Sequence, residues 1–249
     1  MKYLSLEFFK MRHKGIFLTI LVLLAIELLW CTFPLKRQLS PMLSDPSAPV
    51  WETIITTATF MKGLFFSVII AVTVSRVNDM EHRGNTWKLL ESSAQTRESI
   101  WKVKFLSVFS LITLAQIVEM AYLLIYGASL QIAQPFPVFA FLNYFIGSLT
   151  ISAAIILIQQ WISMTVENQL ISMAIGMFGG FLGLFTMFFP VAVRYLFIWG
   201  YYFNLAPATF TGDGGSQRLP VSLLPTIISL AAALLLYFLG RRQFIKTEC

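Results

Sequence analysis

The run GIFLTILVLLAIELLWCTF, residues 15–33, contains a single charged side chain, Glu27. A helix needs roughly 20 apolar residues to cross the hydrocarbon core of a bilayer, and this run has that length. It is too long for the apolar region of a signal peptide, and it carries no small-x-small cleavage site. We therefore expect it to remain in the protein as a membrane-spanning helix.

Five further runs of the same character follow, in a chain of 249 residues that is 57% hydrophobic and 12% charged. A chain this apolar cannot bury its surface in a water-soluble fold. The sequence therefore predicts an all-α integral membrane protein in which residues 1–249 form one membrane domain. The six predicted spans are Gly15–Phe33, Phe60–Val77, Phe105–Gly127, Val138–Ile158, Leu170–Pro190 and Leu223–Gly240.

The basic residues are distributed unevenly around these spans. The chain has 18 Lys and Arg and a net charge of +6. Most of the basic residues precede the first span, lie between the second and third, or follow the last. Because loops rich in Lys and Arg stay in the cytoplasm, this distribution predicts that both termini are cytoplasmic. We expect the positive charge to reflect this orientation and expect no nucleic-acid partner.

The segments outside the spans have different characters. The N-terminal sequence places Leu4, Phe8 and Met11 on one helical face, which predicts an interfacial helix on the inner leaflet. Residues 36–52 contain three prolines and are expected to form an irregular outer loop. Residues 195–203 are rich in Tyr, Trp and Phe and are expected at the level of the outer headgroups.

The longest polar run, residues 79–104, lies between the second and third spans. Asn85 is a suitable N-cap, so a short helix is expected to begin just after Gly84. Trp87 and Leu90 then lie on one face of that helix. Two interpretations are open: the face rests on the inner leaflet, or it docks onto a soluble partner.

The wording of this run, EHRGNTWKLLESS at residues 81–93, resembles the coupling-helix region of type-2 ABC exporter permeases. Within that group it is similar to the permease subunits of lantibiotic-immunity and bacitracin-resistance exporters. Members of the broader family often carry a proline shortly before the arginine, where this chain has SSAQTR. The residues that carry the resemblance, together with Trp87, are Glu81, Gly84, Thr86, Leu89, Leu90, Arg97 and Lys104.

The resemblance implies that transport and ATP hydrolysis are carried out by separate chains. Such permeases work in pairs, of the same or different chains, over two separate ATPase subunits that bind ATP and Mg. The implied location is the bacterial cytoplasmic membrane, and the implied substrate is a lantibiotic or similar cationic antimicrobial peptide. The sequence has no G-x-x-x-x-G-K-[ST] phosphate loop, which agrees with an ATPase on another chain.

Three charged residues fall within predicted spans: Glu27, Lys62 and Glu119. Charges at membrane depth are costly and usually face the interior of a helix bundle. One interpretation is a structural ion pair or triad, and a second is a carboxylate that recognises a cationic peptide. A third is that Lys62 extends to the membrane surface and leaves the two glutamates without it.

The fifth span carries two overlapping G-x-x-x-G patterns, Gly176 with Gly180 and Gly179 with Gly183. Small residues at this spacing let helices approach closely, so we expect a packing face. Its partner could lie in the same chain or in a second permease. No Ser-His-Asp, paired-carboxylate or metal-ligand arrangement occurs in the sequence, so we expect neither catalysis nor a bound metal or cofactor.

Alternative functions remain open at this point. A type-2 permease for a lipid, drug or ion would keep the coupling helix and differ only in substrate. An ATP-independent secondary transporter would need a proton or sodium relay, for which Glu27 and Glu119 are the candidates. A non-transporting scaffold would use Trp87 and Leu90 only to recruit a partner.

Overall fold

The computed structural model describes residues 2–12, 14–84, 96–212 and 215–246. The helices in this part of the chain are α1 Lys2–Arg12, α2 Ile16–Met42, α3 Val50–Gly84, α4 Arg97–Ser129, α5 Val138–Thr165, α6 Gln169–Phe185, α7 Val191–Arg194 and α8 Leu224–Lys246. Two 3-10 helices, Thr186–Phe188 and Ile198–Leu205, and two strands, β1 Ala208–Phe210 and β2 Ser216–Arg218, complete it.

Among the described residues, six helices are long and apolar enough to cross a membrane: α2, α3, α4, α5, α6 and α8. They coincide with the six predicted spans, and the predicted all-α membrane fold is confirmed. Arg241 near the end of α8 contacts Glu98 in the first turn of α4 at 2.7 Å, so the last helix returns to the end of the bundle where α4 begins. We call this the terminal end of the bundle, and the other the distal end.

The prediction of an irregular loop over residues 36–52 holds for residues 43–49 and was wrong on either side of them. Helix α2 continues through Pro34 and Pro41 to Met42, and α3 begins at Val50. A proline inside a helix removes one backbone hydrogen bond, but packing offsets this loss here. The last two turns of α2 bury Leu35 and Leu39 in a core cluster with residues of α3. Glu27 therefore lies further from the distal end of its helix than the predicted span implied.

The remaining turn between α2 and α3 is organised by Asp45. Its Oδ1 accepts hydrogen bonds from Ser47 Oγ at 2.7 Å and from Ser47 N at 2.8 Å. These bonds, the side-chain one first, hold the pKa of Asp45 below its usual value. Their stabilising contribution is present above the ordinary pKa of Asp and is lost as the pH falls through the folded value.

Helix α3 lies at the centre of the bundle. In the most apolar stretch of α3, 72% of the residues are buried, compared with 28% in the most apolar stretch of α2 and 22% in that of α8. It packs against α2, α4, α5, α6 and the 3-10 helix Ile198–Leu205. A movement of α3 would therefore displace its contacts with four other spanning helices, α2, α4, α5 and α6.

The aromatic segment before the hairpin packs into the bundle. Tyr201, Tyr202 and Phe203 in the second 3-10 helix are buried between the spanning helices. The ring of Phe203 lies directly over Gly63 of α3, and the Tyr202 hydroxyl is 2.7 Å from Ser152 Oγ of α5. The absence of a side chain at Gly63 makes room for this ring. The short antiparallel hairpin β1–β2 follows.

The glycines of α6 contact neighbours in the same chain. An added Cβ at Gly176 would lie 2.5 Å from Ala71 Cβ, and one at Gly180 would lie 2.7 Å from Ser67 Cβ, both on α3. On the adjoining face, a Cβ at Gly183 would lie 2.8 Å from the carbonyl carbon of Trp199, and Gly179 faces the Trp199 ring. The two glycine faces thus place α6 between α3 and the second 3-10 helix.

We predict that Gly183→Ala lowers the thermal stability of the purified protein, by about 1–3 kcal/mol, because the new methyl group meets backbone rather than a movable side chain. Gly212→Ala is the matched control, since nothing lies within 4 Å of a Cβ there. Thermal unfolding in detergent measures both. Equal melting temperatures for the two variants would contradict this packing.

Candidate functional site

The two arms of the predicted coupling region meet at the terminal end of the bundle. Helix α3 ends at Gly84, and α4 begins at Arg97, with the Thr96 side chain accepting a hydrogen bond from Ser99 N at 3.2 Å. The predicted coupling residues between the arms lie outside the described residues: Thr86, Trp87, Leu89 and Leu90.

Glu81 and Lys104, one on each arm, belong to a cluster of four charged side chains with Glu7 and Lys10 of α1. Lys10 Nζ lies 2.8 Å from Glu81 Oε1 and 3.2 Å from Glu7 Oε1. Lys104 Nζ lies 3.4 Å from Glu81 Oε1 and 3.5 Å from Glu7 Oε2. We call these four residues the terminal charge cluster.

Three side chains of the terminal charge cluster are buried, and the fourth, Lys10, is partly exposed. The side chains of Lys104 and Glu81 are 2% and 3% exposed, and two carboxylates face two ammonium groups. Lys104 Nζ also donates to the Val77 carbonyl at 3.2 Å. Buried charges are tolerated when they are paired and hydrogen-bonded in this way. The cluster therefore fixes the relative positions of α1, α3 and α4.

Lys10 shows how the cluster favours its own charged state. Burial alone lowers the pKa of this ammonium, but its hydrogen bond to Glu81 and the charges of Glu7 and Glu81 outweigh burial and raise the pKa. Its contribution to stability is therefore present below the ordinary pKa of Lys and is lost as the pH rises through the folded value. Lys10 therefore keeps its charge at neutral pH.

The sequence did not reveal the part that α1 plays. Glu7 and Met11, one turn apart on α1, are both buried against the bundle. Gly15, with φ of 66°, makes the left-handed turn from α1 into α2. A glutamate one turn before Met11, on the predicted apolar face, was the signal available in the sequence. The partners that α1 finds in the rest of the bundle are remote along the chain, since Lys104 is 97 residues from Glu7 and Glu81 is 71 residues from Lys10.

Polar contacts also join α3 to α5 and α6 at the same end of the bundle. Asn78 Nδ2 donates to Ser163 Oγ at 3.0 Å, and His82 Nε2 lies 3.1 Å from the Ser163 carbonyl oxygen. Gln169, the first residue of α6, donates to the Ser163 and Val166 carbonyl oxygens at 2.9 and 2.7 Å. The arm of the coupling region on α3 is thus anchored on both sides.

The three charged residues within the spans also lie close together. Lys62 Nζ of α3 lies 2.6 Å from Glu119 Oε2 of α4, and the Tyr144 hydroxyl of α5 donates to Glu119 Oε1 at 2.5 Å. Glu27 of α2 interacts electrostatically with both Glu119 and Lys62. We call Glu27, Lys62 and Glu119 the intramembrane charge cluster.

The suggestion that Lys62 extends to the membrane surface was wrong. The residue is 1% exposed, and its ammonium lies 4.6 Å from the ring centroids of both Phe66 and Tyr144. An ion pair and two aromatic faces compensate for the loss of water around the ammonium. Tyr144, which holds Glu119 from the opposite side, was missed because a tyrosine in an apolar run resembles any core residue.

The intramembrane charge cluster differs from the terminal one in its balance. It contains two carboxyl groups and one ammonium group, and Glu27 is 1% exposed. Among the described residues, neither carboxyl oxygen of Glu27 has a hydrogen-bond partner. In the same part of the chain, no group of His, Cys, Asp and Glu residues is arranged to hold a metal ion.

Comparison with known proteins adds one match. The sequence model of a family described as ABC-2 family transporter proteins matches residues 3–183. The match includes α1 to α6 up to Gly183, both arms of the coupling region and both charge clusters. No curated protein matches the chain.

We predict that Lys104→Met destabilises the purified protein by about 3 kcal/mol, because it removes a buried ammonium group that contacts two buried carboxylates. The control is Arg241→Met, which breaks the Arg241–Glu98 pair, whose side chains are 32% and 53% exposed. That pair is expected to contribute less than about 1 kcal/mol. Chemical denaturation in detergent measures both variants. A loss in Lys104→Met no larger than that of the control would show that the terminal charge cluster does not stabilise the fold.

Proposed function

This chain belongs to the ABC-2 family of transporter proteins, and from that membership we propose that it is the permease of an ATP-driven exporter. The chain is a multi-pass protein of a bacterial cell membrane and an ABC transporter permease subunit, not itself a catalytic enzyme. Its family implies partnership with an ABC ATPase subunit. Export, the identity of the substrate and the pairing with a second permease are proposals.

The ion pairs of the terminal charge cluster support the proposal that residues 85–95 couple this chain to the ATPase. These residues connect Gly84 to Arg97, and the cluster ties both arms to α1 through buried ion pairs. A push on this segment would therefore be transmitted to α1, α3 and α4 together. With both termini in the cytoplasm, the segment faces the compartment that supplies ATP.

Trp87 and Leu90 are the proposed anchors for the ATPase. A tryptophan on the water-facing side of a membrane protein is favoured where a partner covers it, because large aromatic side chains contribute strongly to interfaces. We propose that two such permeases, identical or different, stand over two ATPase subunits. Closure of the ATPases on ATP would then move the two coupling segments.

The proposed substrate is a lantibiotic or similar cationic antimicrobial peptide, captured from the outer part of the membrane and expelled. The sequence of residues 81–93 supports a peptide substrate, because it resembles that of immunity permeases. An ABC permease for a lipid, a drug or an ion is the alternative.

We predict that Trp87→Ala with Leu90→Ala weakens co-purification with the ABC ATPase partner, by at least about tenfold in affinity. The matched control is Leu29→Ala with Trp30→Ala, a Leu and Trp pair that α2 exposes on the membrane-spanning surface. Quantified pull-down from detergent measures both. Retention of the ATPase by the coupling variant would place residues 85–95 on the lipid surface instead.

We predict that deletion of this chain sensitises its host to cationic lantibiotics and leaves sensitivity to neutral drugs unchanged. The purified permease–ATPase complex in nanodiscs should hydrolyse ATP faster when such a peptide is added. Stimulation by lipids or drugs alone would support the alternative substrate. Transport by this chain without an ATPase would indicate a secondary transporter, and an ATPase that binds without transport would indicate a scaffold.

A further inference from the structure

The Glu27 carboxyl group is the one member of the intramembrane charge cluster that lies outside the ion pair between Lys62 and Glu119. It is 1% exposed, and neither oxygen has a hydrogen-bond partner among the described residues. An ionised carboxylate in an apolar interior normally accepts several hydrogen bonds, because these replace the water it has lost. In this position, Glu27 lacks the contacts that an anion requires.

Among the described residues, one cation interacts with the Glu27 carboxyl group. The titratable groups that interact with its carboxyl group are Cys31 on the next turn of α2, Lys62 of α3, Glu119 of α4, Tyr144 of α5 and Tyr202 of the second 3-10 helix. Lys62 is the cation in this set, and its ammonium lies against Glu119. Glu119 uses both of its oxygens, since Oε2 lies 2.6 Å from that ammonium and Oε1 accepts a hydrogen bond from the Tyr144 hydroxyl.

The net charge of the cluster then determines whether Glu27 is protonated. Two ionised carboxylates and one ammonium would leave a net negative charge buried among membrane-spanning helices, which is strongly unfavourable. One bound proton makes the cluster neutral. A proton is also the ligand that fits, because the side chain is closed off and a proton needs no cavity.

We propose that the intramembrane charge cluster is a proton-binding site, in which Glu27 carries one proton while Lys62 and Glu119 form the ion pair. The proton and the ammonium can exchange partners. When α3 shifts, Lys62 moves from Glu119 to Glu27, and the proton passes from the Glu27 carboxyl group to the Glu119 carboxylate. No proton is gained or lost, and the cluster is neutral in both arrangements.

This proposal is independent of the ATPase and of the substrate. It gives the bundle two neutral arrangements. In one, Lys62 of α3 forms its ion pair with α4, and in the other it forms its ion pair with α2. Neutrality also sets the number of protons in each variant. Removal of either carboxyl group should remove the bound proton, whereas removal of the ammonium should add a second one.

The test is infrared spectroscopy of the full-length protein in lipid nanodiscs at neutral pH, following the C=O stretching band of a protonated carboxyl group. We predict that the wild type shows one such buried group and that Glu27→Gln shows none. Glu119→Gln should also show none, because Lys62 then pairs with an ionised Glu27. Lys62→Gln should show two. Glu98→Gln removes a carboxyl group that is 53% exposed, and it should leave the band unchanged.

Several outcomes would overturn the proposal. The absence of a protonated band in the wild type, or its persistence in Glu27→Gln, would show that Glu27 is ionised. A band that persists in Glu119→Gln would show that neutrality does not control the cluster. Thermal stability provides a second measure that does not depend on the spectra. Glu27→Gln should match the wild type because one neutral group replaces another, and a large loss of stability would show that an anion had been removed.

Discussion

The need to neutralise charge inside a membrane is the constraint on which this structure depends. Water is absent from the hydrocarbon region, so every buried ionised group must find its partner within the protein. Lys62 and Glu119 satisfy each other across α3 and α4, and Tyr144 supports the pair from α5. This requirement fixes the relative rotation of three spanning helices more strictly than apolar packing could, because apolar side chains accept many registers.

Helix α3 connects the two charge clusters. Lys62 and Glu81 lie on the same continuous helix, 19 residues apart in sequence, or about 28 Å along the axis. A rigid helix carries a displacement from one end to the other with little loss. In the proposed exporter, a push on residues 85–95 would therefore reach Lys62 directly. The exchange of partners at Lys62 would be one way for the membrane region to respond.

The sequence predicted the parts of this structure that depend on local pattern. Apolar runs located all six spans, because length and hydropathy suffice for that. The end of α2 was missed, because Pro34 and Pro41 suggest a loop unless the burial of Leu35 and Leu39 is known. Glu7 and Lys10 were missed for a similar reason, since their partners are remote in sequence. The positions of Glu27, Lys62 and Glu119 allowed a meeting in the membrane, but the pairing of Lys62 with Glu119 required the structure.

The contrast between the two clusters indicates different roles. In the terminal charge cluster two ammonium groups contact two carboxylates, and Lys104 also donates to the Val77 carbonyl. A network of paired, hydrogen-bonded groups resists change, which would suit the proposed transmission of force between α1, α3 and α4. In the intramembrane charge cluster the Glu27 carboxyl group lacks a hydrogen-bond partner among the described residues, and the proposed exchange would give the ammonium a second position beside it. In the proposed exporter, a rigid connection at the coupling segment and a movable pairing within the bilayer would act together, since energy delivered at one site must change the structure at another.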